Sequence, residues 1–544
     1  MRNLLILVFV ILLTKSEIYC QITKAVQVKN AVMTPEDVFT SSNLPVLVIQ
    51  TFNQSIPNNP KISAHLGIIY NGEGKRNSLT DTPNHYNGTI GIELRGNSSQ
   101  SFPKKPYNFE TRDATGGNLN VSLLGMPEEN DWVLRASYLD HTFTRNILAS
   151  HLSQQMGHWA SRCRLVELVL NGNYQGIYIL MEKIKRDKNR LDIAKLNPDE
   201  ITYPDITGGY IFEITGFGND LGSSRELKYP DIDDIAPEQL RYIKDYDNEF
   251  RRVMQMANYA DQINGYTAWI DDDSFVDELI VQEAMRNSDA YGWSAYFHKD
   301  KEEKLKAGPV WDFDQSAGNS SYPDNGVVTG WLFSHPNTNN TPFFWPLLFD
   351  DPAFAWKVRT RWEELRNGPF QTSTLLTYID SVASLLSEAQ AREFAKWPVL
   401  GQFIWRETNG YQQRNTYQKE VDYLKSFLTQ RWLWMDNELG KIENPNTEAV
   451  YNRLGSPNAD IHVYPVPAKN NVTFDITNKN AAYILIQIYN LQGGLMLTSD
   501  MQYIQPGENR LNLNLNDLSA GIYIYKVRIE NQDELTGKII KSER

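Results

Sequence analysis

Two aspartates two positions apart are the residues of this sequence best suited to chemistry. Asp312 and Asp314 lie in the apolar stretch GPVWDFDQSAGN, residues 308–319. Alternate residues of a β-strand point to one face, so a strand here would place both carboxylates side by side. Two neighbouring buried carboxylates are costly unless a cation or a proton lies between them. Because Trp311 and Phe313 would anchor the strand, the pattern predicts a fixed carboxylate pair that binds a cation.

A third carboxylate, Asp289, follows a helix predicted at residues 273–287. Negative charge at a helix C-terminus is electrostatically unfavourable, so an aspartate at this place indicates a role other than helix stabilisation. Hard carboxylate oxygens with few thiols or histidines nearby favour Mg²⁺ or Mn²⁺ over zinc. The alternative is that Asp312 and Asp314 only cap a turn or a helix at a strand end.

Basic residues that could bind phosphate occur in the segment IELRGNSSQSFPKKPYNFE, residues 92–110. Its hydroxyl-rich loop and its two lysines could hold phosphates through backbone amides and ammonium groups. A solvated hairpin tip explains the same composition equally well. If Lys105, Tyr107 and Phe109 share the strand face that lines a cleft, Lys105 points inward and Lys104 outward.

Glu182 ends an apolar strand at the start of the charged run EKIKRDKNR. Its carboxylate could pair with a lysine or bind the edge of a nucleotide base. A surface charge run at a strand end is an equally good explanation, so the pattern leaves these three interpretations open.

Several enzyme classes lack their signatures in this chain. The eight histidines form no HxxxH or HExxH pair of a zinc hydrolase, and no GxSxG motif of a serine hydrolase occurs. Neither the GxxxxGK[ST] loop nor the usual kinase set of glycine-rich loop, HRD and DFG is present. The net charge of −13, which becomes −14 when Arg2, Lys15 and Glu17 leave with a predicted leader, gives little attraction for nucleic acid.

Export is predicted by the first twenty residues, in which Arg2 precedes a short apolar run. The run is too short to span a bilayer and is typical of a signal peptide. Cleavage is expected after Cys20, which leaves Cys163 without an intramolecular disulfide partner. No later stretch predicts a membrane helix, so we expect a secreted or surface-attached protein.

The elements that must position these residues change type along the chain. Residues 43–183 are mostly strands, with a hairpin turn at Asn171–Gly172 and one helix at 141–157 capped by Thr142. Residues 236–438 are mostly helical. A strand-rich half followed by a helix-rich half predicts an α+β fold with two lobes and a ligand-binding cleft between them.

Two domains and a linker follow from these changes. After the signal peptide at 1–20 and a lead-in at 21–42, the first domain is predicted at residues 43–438. Residues 439–460 are polar and contain Pro and Gly, as is typical of a linker. Residues 461–544 show the clean strand alternation of a small antiparallel β-sandwich.

Five segments of the first domain, in this order, resemble the CotH kinase family, the spore-coat protein H-like atypical protein kinases. The segments are IELRGNSSQSFPKKPYNFE, DWVLRASYLDHTFTRNILA, VELVLNGNYQGIYILMEKIKR, DSFVDELIVQEAMRNSDAYGWSAYFHKD and GPVWDFDQSAGN. The resemblance implies a two-lobed, atypical protein-kinase-like domain that uses ATP with Mg²⁺ or Mn²⁺. It also implies phosphoryl transfer to the Ser or Thr hydroxyls of a protein substrate.

The same resemblance implies roles for individual residues. Asp289 would orient the acceptor hydroxyl, and Asp312 would hold the metal on the nucleotide phosphates with help from Asp314. Lys105, with Lys104 as its alternate, would contact phosphates. Further candidates in the matching segments are Asn319 for the metal and, for the nucleotide, Arg95, Arg145 and Glu182.

Two segments of the second domain resemble the C-terminal sorting domain of type IX secretion, which is typical of the Bacteroidetes group. They are VYPVPAKNNVTFDI and LSAGIYIYKVRIENQDELTGKIIK. This resemblance implies the type IX secretion machinery as a partner and export through the periplasm to the cell surface or beyond. A generic β-sandwich binding module is the alternative.

Three functions are open on this basis. The favoured one is a secreted protein kinase that depends on ATP and a divalent metal. The second is a catalytically silent surface protein, with a binding or structural role, on a kinase-like fold. The third is a secreted carbohydrate-active protein, in which Asp289 and Asp312 would form the carboxylate pair.

Overall fold

The described part of the chain divides into two units in a computed structural model of the protein, one ending at Gly440 and one beginning at Lys441. The described residues are 39–215, 225–261, 263–324, 326–335, 341–445, 454–455, 459–530 and 534–542. The predicted signal peptide, most of the predicted lead-in and part of the predicted linker lie outside them.

Strands dominate the first part of the first unit. They are β1 (Ser41–Ser42), β2 (Val46–Gln50), β3 (Ile62–Ile69), β4 (Asn77–Ser78), β5 (Tyr86–Leu94), β6 (Tyr107–Arg112), β7 (Asp131–Arg135), β8 (Cys163–Leu170) and β9 (Asn173–Glu182). Within the described residues, all but β1 and β4 close into a barrel in the order β2-β3-β5-β6-β7-β9-β8. Neighbouring strands are antiparallel except β2 and β8, whose parallel pairing closes the barrel.

The barrel encloses an apolar core because alternate residues of each strand point inward. Phe109 of β6, Trp132 and Leu134 of β7, and Leu180 of β9 belong to this core. Arg135 is one position out of phase with Trp132 and Leu134, so its side chain leaves the barrel on the outer face. That face contributes to the site described below.

Helices and a second sheet make up the rest of the first unit. The sheet has the order β11-β10-β12-β13 and consists of β10 (Tyr210–Thr215), β11 (Arg225–Tyr229), β12 (Trp293–Lys299) and β13 (Leu305–Ala307). The helices are α1 (Arg145–Gln155), α2 (Pro237–Met254), α3 (Asp272–Met285), α4 (Phe344–Asp350), α5 (Pro352–Asn367), α6 (Thr372–Leu385), α7 (Ala389–Lys396) and α8 (Tyr417–Leu439). This mixture of strands and helices is consistent with the predicted α+β class.

No helix in the described residues combines the length and the apolar character that crossing a membrane requires.

Helix α1 starts later than predicted, and Thr142 does not cap it. The helix begins at Arg145, and Asp140 is the residue that organises its start. The Asp140 carboxylate accepts hydrogen bonds from the Thr142 hydroxyl at 2.6 Å and from the Arg145 amide at 2.9 Å. The predicted cap is wrong because a carboxylate, two residues earlier in the chain, already binds the amide at the helix start.

The second unit is built from antiparallel strands. They are β14 (Leu454–Gly455), β15 (Ala459–Tyr464), β16 (Asn471–Asn478), β17 (Ala482–Tyr489), β18 (Leu495–Thr498), β19 (Gln502–Ile504), β20 (Gly507–Asn514), β21 (Gly521–Ile529) and β22 (Leu535–Lys541). One sheet has the order β14-β15-β16-β20, and the other has β18-β17-β21-β22 with β19 also paired to β17. Phe474 of the first sheet and Ile486 and Val527 of the second share one apolar core, as expected of a β-sandwich.

Candidate active site

The segment that carries Asp312 and Asp314 is not a strand. β13 ends at Ala307, and residues 308–319 form neither strand nor helix. Asp312 itself has a left-handed backbone, with φ of 64°. The predicted strand is therefore wrong, although Trp311 and Phe313 are buried and the two aspartates are half-buried as predicted. Tertiary packing of the aromatic rings produces the alternation of burial that we interpreted as a strand.

The cation between the two carboxylates is Arg135, at the end of β7. Its Nη1 lies 2.5 Å from Asp312 Oδ1 and 3.3 Å from Asp314 Oδ2. The Arg135 side chain is only 8% exposed, whereas that of Asp312 is 35% exposed. Sequence reasoning missed Arg135 because nothing in the local pattern links a strand end to a loop 177 residues later.

Two further side chains fix the carboxylate pair and were also missed. Asn146 of α1 accepts a hydrogen bond from the Phe313 amide at 2.8 Å and donates one to Asp314 Oδ1. The hydroxyl of Ser294, on β12, lies 3.4 Å from Asp312 Oδ2. Both contacts hold the two carboxylates in defined orientations.

Arg145 and Asn319 support the loop from behind. The Arg145 guanidinium is fully buried and donates to the carbonyl oxygens of Ser316 at 2.9 Å and Ala317 at 3.2 Å. The Asn319 amide donates to the carbonyl oxygens of Leu139 at 2.8 Å and Asp314 at 2.7 Å. The structure therefore makes Arg145 a residue that positions the loop, which departs from its predicted contact with the nucleotide.

Asp289 lies four residues beyond the end of α3 and is half-buried. Among the described residues, no donor forms a hydrogen bond to its carboxylate. Burial is the main cause that raises the pKa of Asp289 to about 7, and repulsion from Asp312 and Asp314 adds to it, against the charge of Arg406. The charges of Asp312 and Asp314 thus act on Asp289, and its place in a common site stays a prediction.

The two carboxylates of the pair titrate differently. Burial raises the pKa of Asp312, but the charge and hydrogen bond of Arg135 outweigh burial, and the pKa lies below its ordinary value. Burial and repulsion from Asp312 raise the pKa of Asp314 to about 6, because Arg135 offsets them only in part. Near neutral pH the site therefore carries more negative charge than Arg135 neutralises.

Arg95 is a second cation at the site. Its Cζ lies 5.2 Å from the centroid of the Trp311 ring, the same distance as the Cζ of Arg135. In the described part of the chain, no carboxylate forms an ion pair with Arg95, and its buried Nε has no hydrogen-bond partner. An unpaired guanidinium beside the carboxylates is suited to bind an anionic ligand.

Of the two predicted phosphate-binding lysines, Lys104 is buried although it was expected to point outward. Lys104 is buried, and its Nζ lies 2.6 Å from Glu393 Oε1 of α7. Lys105 is half-buried, and its Nζ donates to the Gln100 carbonyl oxygen at 2.7 Å. The expected alternation of the two lysines does not hold because β6 begins only at Tyr107, and a phosphate contact of Lys105 stays a prediction.

Glu182 is a buried structural carboxylate at the end of β9. Its Oε2 accepts hydrogen bonds from the amide and the Nε of Arg162, both at 2.9 Å. Its Oε1 is buried and has no hydrogen-bond partner among the described residues. The partner of Oε2 is thus an arginine and not the lysine that the sequence suggested, whereas contact with a nucleotide base stays a prediction.

The donor set of the site fits Mg²⁺ or Mn²⁺ held together with a nucleotide. Across the described ranges, no three His, Cys, Asp or Glu side chains come together to hold a metal by themselves. Asp312 and Asp314 nevertheless supply hard oxygen ligands, and Arg135 alone does not neutralise their charge. Mg²⁺ typically binds through one or two carboxylates, and phosphate and water oxygens complete its coordination.

Comparison with known proteins confirms both resemblances found in the sequence. Residues 92–435 match the family model described as CotH kinase protein, and residues 462–542 match the model described as Secretion system C-terminal sorting domain. The second match indicates handling by a type IX secretion system and export to the cell surface or beyond.

The other two comparisons add little. No curated protein matches the chain. Among solved structures, dimeric latent PorU from Porphyromonas gingivalis is 17% identical over 16% of this chain and 10% of that chain, with a TM-score of 0.15. The chain thus aligns with a tenth of the PorU chain, and this similarity carries no argument about fold or function.

Proposed function

Because the chain belongs to the CotH kinase protein family, we propose that it is an exported protein kinase dependent on ATP and a divalent metal. It would transfer a phosphoryl group to Ser or Thr hydroxyls of exported or surface proteins. The observation that supports the proposal is that the guanidiniums of Arg95 and Arg135 both lie at the Trp311 ring, where Arg135 contacts Asp312 and Asp314. The charges of these two aspartates also act on Asp289. Phosphoryl transfer depends mainly on positioning and charge neutralisation, which such a site supplies.

Each side chain has a defined part in this proposal. Asp312 and Asp314 would hold the metal, which when bound supplies charge neutralisation on the phosphates. Arg95 would bind phosphate oxygens, because its guanidinium has no carboxylate partner in the described residues. The Asp289 carboxylate, which accepts no hydrogen bond from those residues, is available to the acceptor hydroxyl and would orient it.

Metal-dependent ATP binding tests the proposal directly. We expect the wild-type chain to bind ATP in Mg²⁺ or Mn²⁺ but not in chelator, and Asp312→Asn to weaken binding at least about 10-fold by removing a charged metal ligand. Isothermal titration of ATP in each condition measures this. Asp422→Asn, on the exposed face of α8, is the matched control and should bind ATP like the wild type. An absence of ATP binding by the wild-type chain in both metals would contradict the proposal.

Arg95 should contribute affinity through the phosphates alone. We expect Arg95→Gln to raise the Kd for ATP about 10-fold, the effect of one lost hydrogen bond between charged groups, and to leave the Kd for adenosine unchanged. Titration of both ligands with the same preparation separates phosphate contact from general damage. An equal loss for adenosine would show that Arg95 acts on the fold of the site and not on phosphate.

A catalytically silent protein on the same fold is the second candidate. The observation in its favour is that Arg135 occupies both predicted metal ligands. Such a protein would fail to transfer phosphate from radiolabelled ATP to itself, to a general acceptor protein or to exported proteins, in either metal.

We also propose that the kinase acts along the export route through the periplasm, where it would meet these exported proteins.

A further inference from the structure

Arg135 contacts both carboxylates of the pair with one end of its guanidinium. A single nitrogen, Nη1, makes both contacts, to Asp312 and to Asp314. The Arg135 Nε is buried and has no hydrogen-bond partner among the described residues. The guanidinium therefore does not use the two-pronged geometry that makes arginine–carboxylate pairs strong and specific.

Two structural arginine pairs elsewhere in the first unit use the two-pronged geometry. Arg361 binds Asp277 through Nε at 2.9 Å and Nη2 at 3.1 Å, one bond to each carboxylate oxygen. Arg366 binds Asp436 in the same way, at 2.9 and 3.0 Å. Arg135 instead divides one nitrogen between two carboxylates, and these are the two carboxylates predicted to hold a metal.

We propose that Arg135 is a built-in counter-cation that competes with the divalent metal for the oxygens of Asp312 and Asp314. The inference rests on the proposed function of these aspartates as metal ligands. In the metal-free protein Arg135 neutralises part of their charge and keeps them in place. When the metal binds, Arg135 must leave at least one of the carboxylates, because two cations on the same oxygens repel each other.

The position of Arg135 suits such an exchange. Its Cζ lies over the Trp311 ring, so the guanidinium keeps a favourable cation–π contact when it moves away from the carboxylates. The Asp312 side chain is 35% exposed, which gives a metal access to the pair from the open side. Arg135 is accordingly a positioning residue that sets metal affinity, and it acts on the reaction through Asp312 and Asp314.

Metal titration without nucleotide tests this inference. The full-length chain and its variants are titrated with Mn²⁺, and free Mn²⁺ is measured by electron paramagnetic resonance. We expect Arg135→Gln to bind Mn²⁺ at least about 10-fold more tightly than the wild type, because the competing cation is gone. Its Tm in chelator should be lower than that of the wild type, and Mn²⁺ should raise it by more.

Arg95→Gln is the matched control. It removes an equally placed guanidinium at the Trp311 ring that has no ion pair with either aspartate, so it should change Mn²⁺ affinity by less than about threefold. If Arg95→Gln tightened Mn²⁺ binding as much as Arg135→Gln, the general field of the site would be responsible and the competition would be refuted.

A second variant keeps the test decisive if Arg135→Gln does not fold. Arg135→Lys retains a positive charge but loses Nη1. We expect it to bind Mn²⁺ more tightly than the wild type and less tightly than Arg135→Gln. If Arg135→Gln does not fold, the comparison of Arg135→Lys with the wild type alone decides the test. Affinity equal to or weaker than the wild type would overturn the inference while leaving the kinase proposal intact. No Mn²⁺ binding by any variant would also overturn the inference, and the ATP titrations of the wild-type chain in metal would then decide the kinase proposal separately.

Discussion

An Asp289→Asn variant should transfer phosphate at least about 1000-fold more slowly than the wild-type chain while it binds ATP and metal with similar affinity. Asparagine keeps the shape of the side chain but cannot accept the acceptor-hydroxyl proton or orient that hydroxyl as a carboxylate does. Losses of about 10²–10⁴-fold are typical when a positioned acid–base group is removed. Transfer from radiolabelled ATP, beside an ATP titration of the same preparation, measures both quantities.

The same substitution should stabilise the metal-free protein at alkaline pH. The pKa of Asp289 is raised from 3.8 to about 7, with burial as the main cause, so the folded state holds a proton that the unfolded chain releases. The stability of the wild type therefore falls as the pH rises from about 4 to about 7, and asparagine lacks this loss. We expect Asp289→Asn to melt a few degrees higher than the wild type at pH 8 in chelator.

Asp277 is the matched control for both measurements. It lies on α3 and is paired with Arg361 and His158, away from the three carboxylates of the site. Asp277→Asn should lower the Tm, because it breaks a two-pronged ion pair, and should leave phosphate transfer unchanged. An Asp289→Asn variant that kept more than about a tenth of the wild-type rate would remove Asp289 from the catalytic role.

Features that depend on neighbours in sequence could be predicted for this chain. The turn between β8 and β9 lies at Asn171–Gly172 as predicted, because both residues accept positive φ, here 49° and 77°. Helix α3 begins at Asp272, within one residue of the predicted start, because the Asp271 carboxylate accepts the Ser274 amide at 2.9 Å and caps the helix. In both places the chemistry of adjacent residues decides the backbone.

Features that depend on distant partners could not be predicted. Asp312 and Asp314 were identified by their spacing, but their cation lies on a strand 177 residues earlier. The strand predicted around them failed for the same reason, since burial of Trp311 and Phe313 comes from tertiary packing. Spacing identifies residue types suited to a site, whereas the fold decides which charges meet there.

Replacement of Lys104 should destabilise the protein strongly. The role of this lysine depends on the fold, because its partner Glu393 is distant in sequence. Nζ of Lys104 and the carboxylate of Glu393 are both buried, and burial is the main cause that lowers the pKa of the lysine and raises that of the glutamate. Lys104→Met would leave Glu393 buried without its cation, which typically costs about 3–5 kcal/mol. Urea unfolding, followed by tryptophan fluorescence, measures the change.

Two further variants separate a structural lysine from a phosphate-binding one. Lys105→Met, next in the chain, should cost less than about 1 kcal/mol because its ammonium is half-buried and bonds one carbonyl oxygen. The double variant Lys104→Met with Glu393→Gln should recover part of the lost stability, since the glutamine is uncharged and still accepts the Ile177 amide that Glu393 binds at 2.7 Å. The contradicting outcome is a Lys104→Met variant that keeps its stability and loses ATP affinity. In that case Lys104 would contact phosphate, as the family resemblance implied, and the nucleotide would have to bind next to α7.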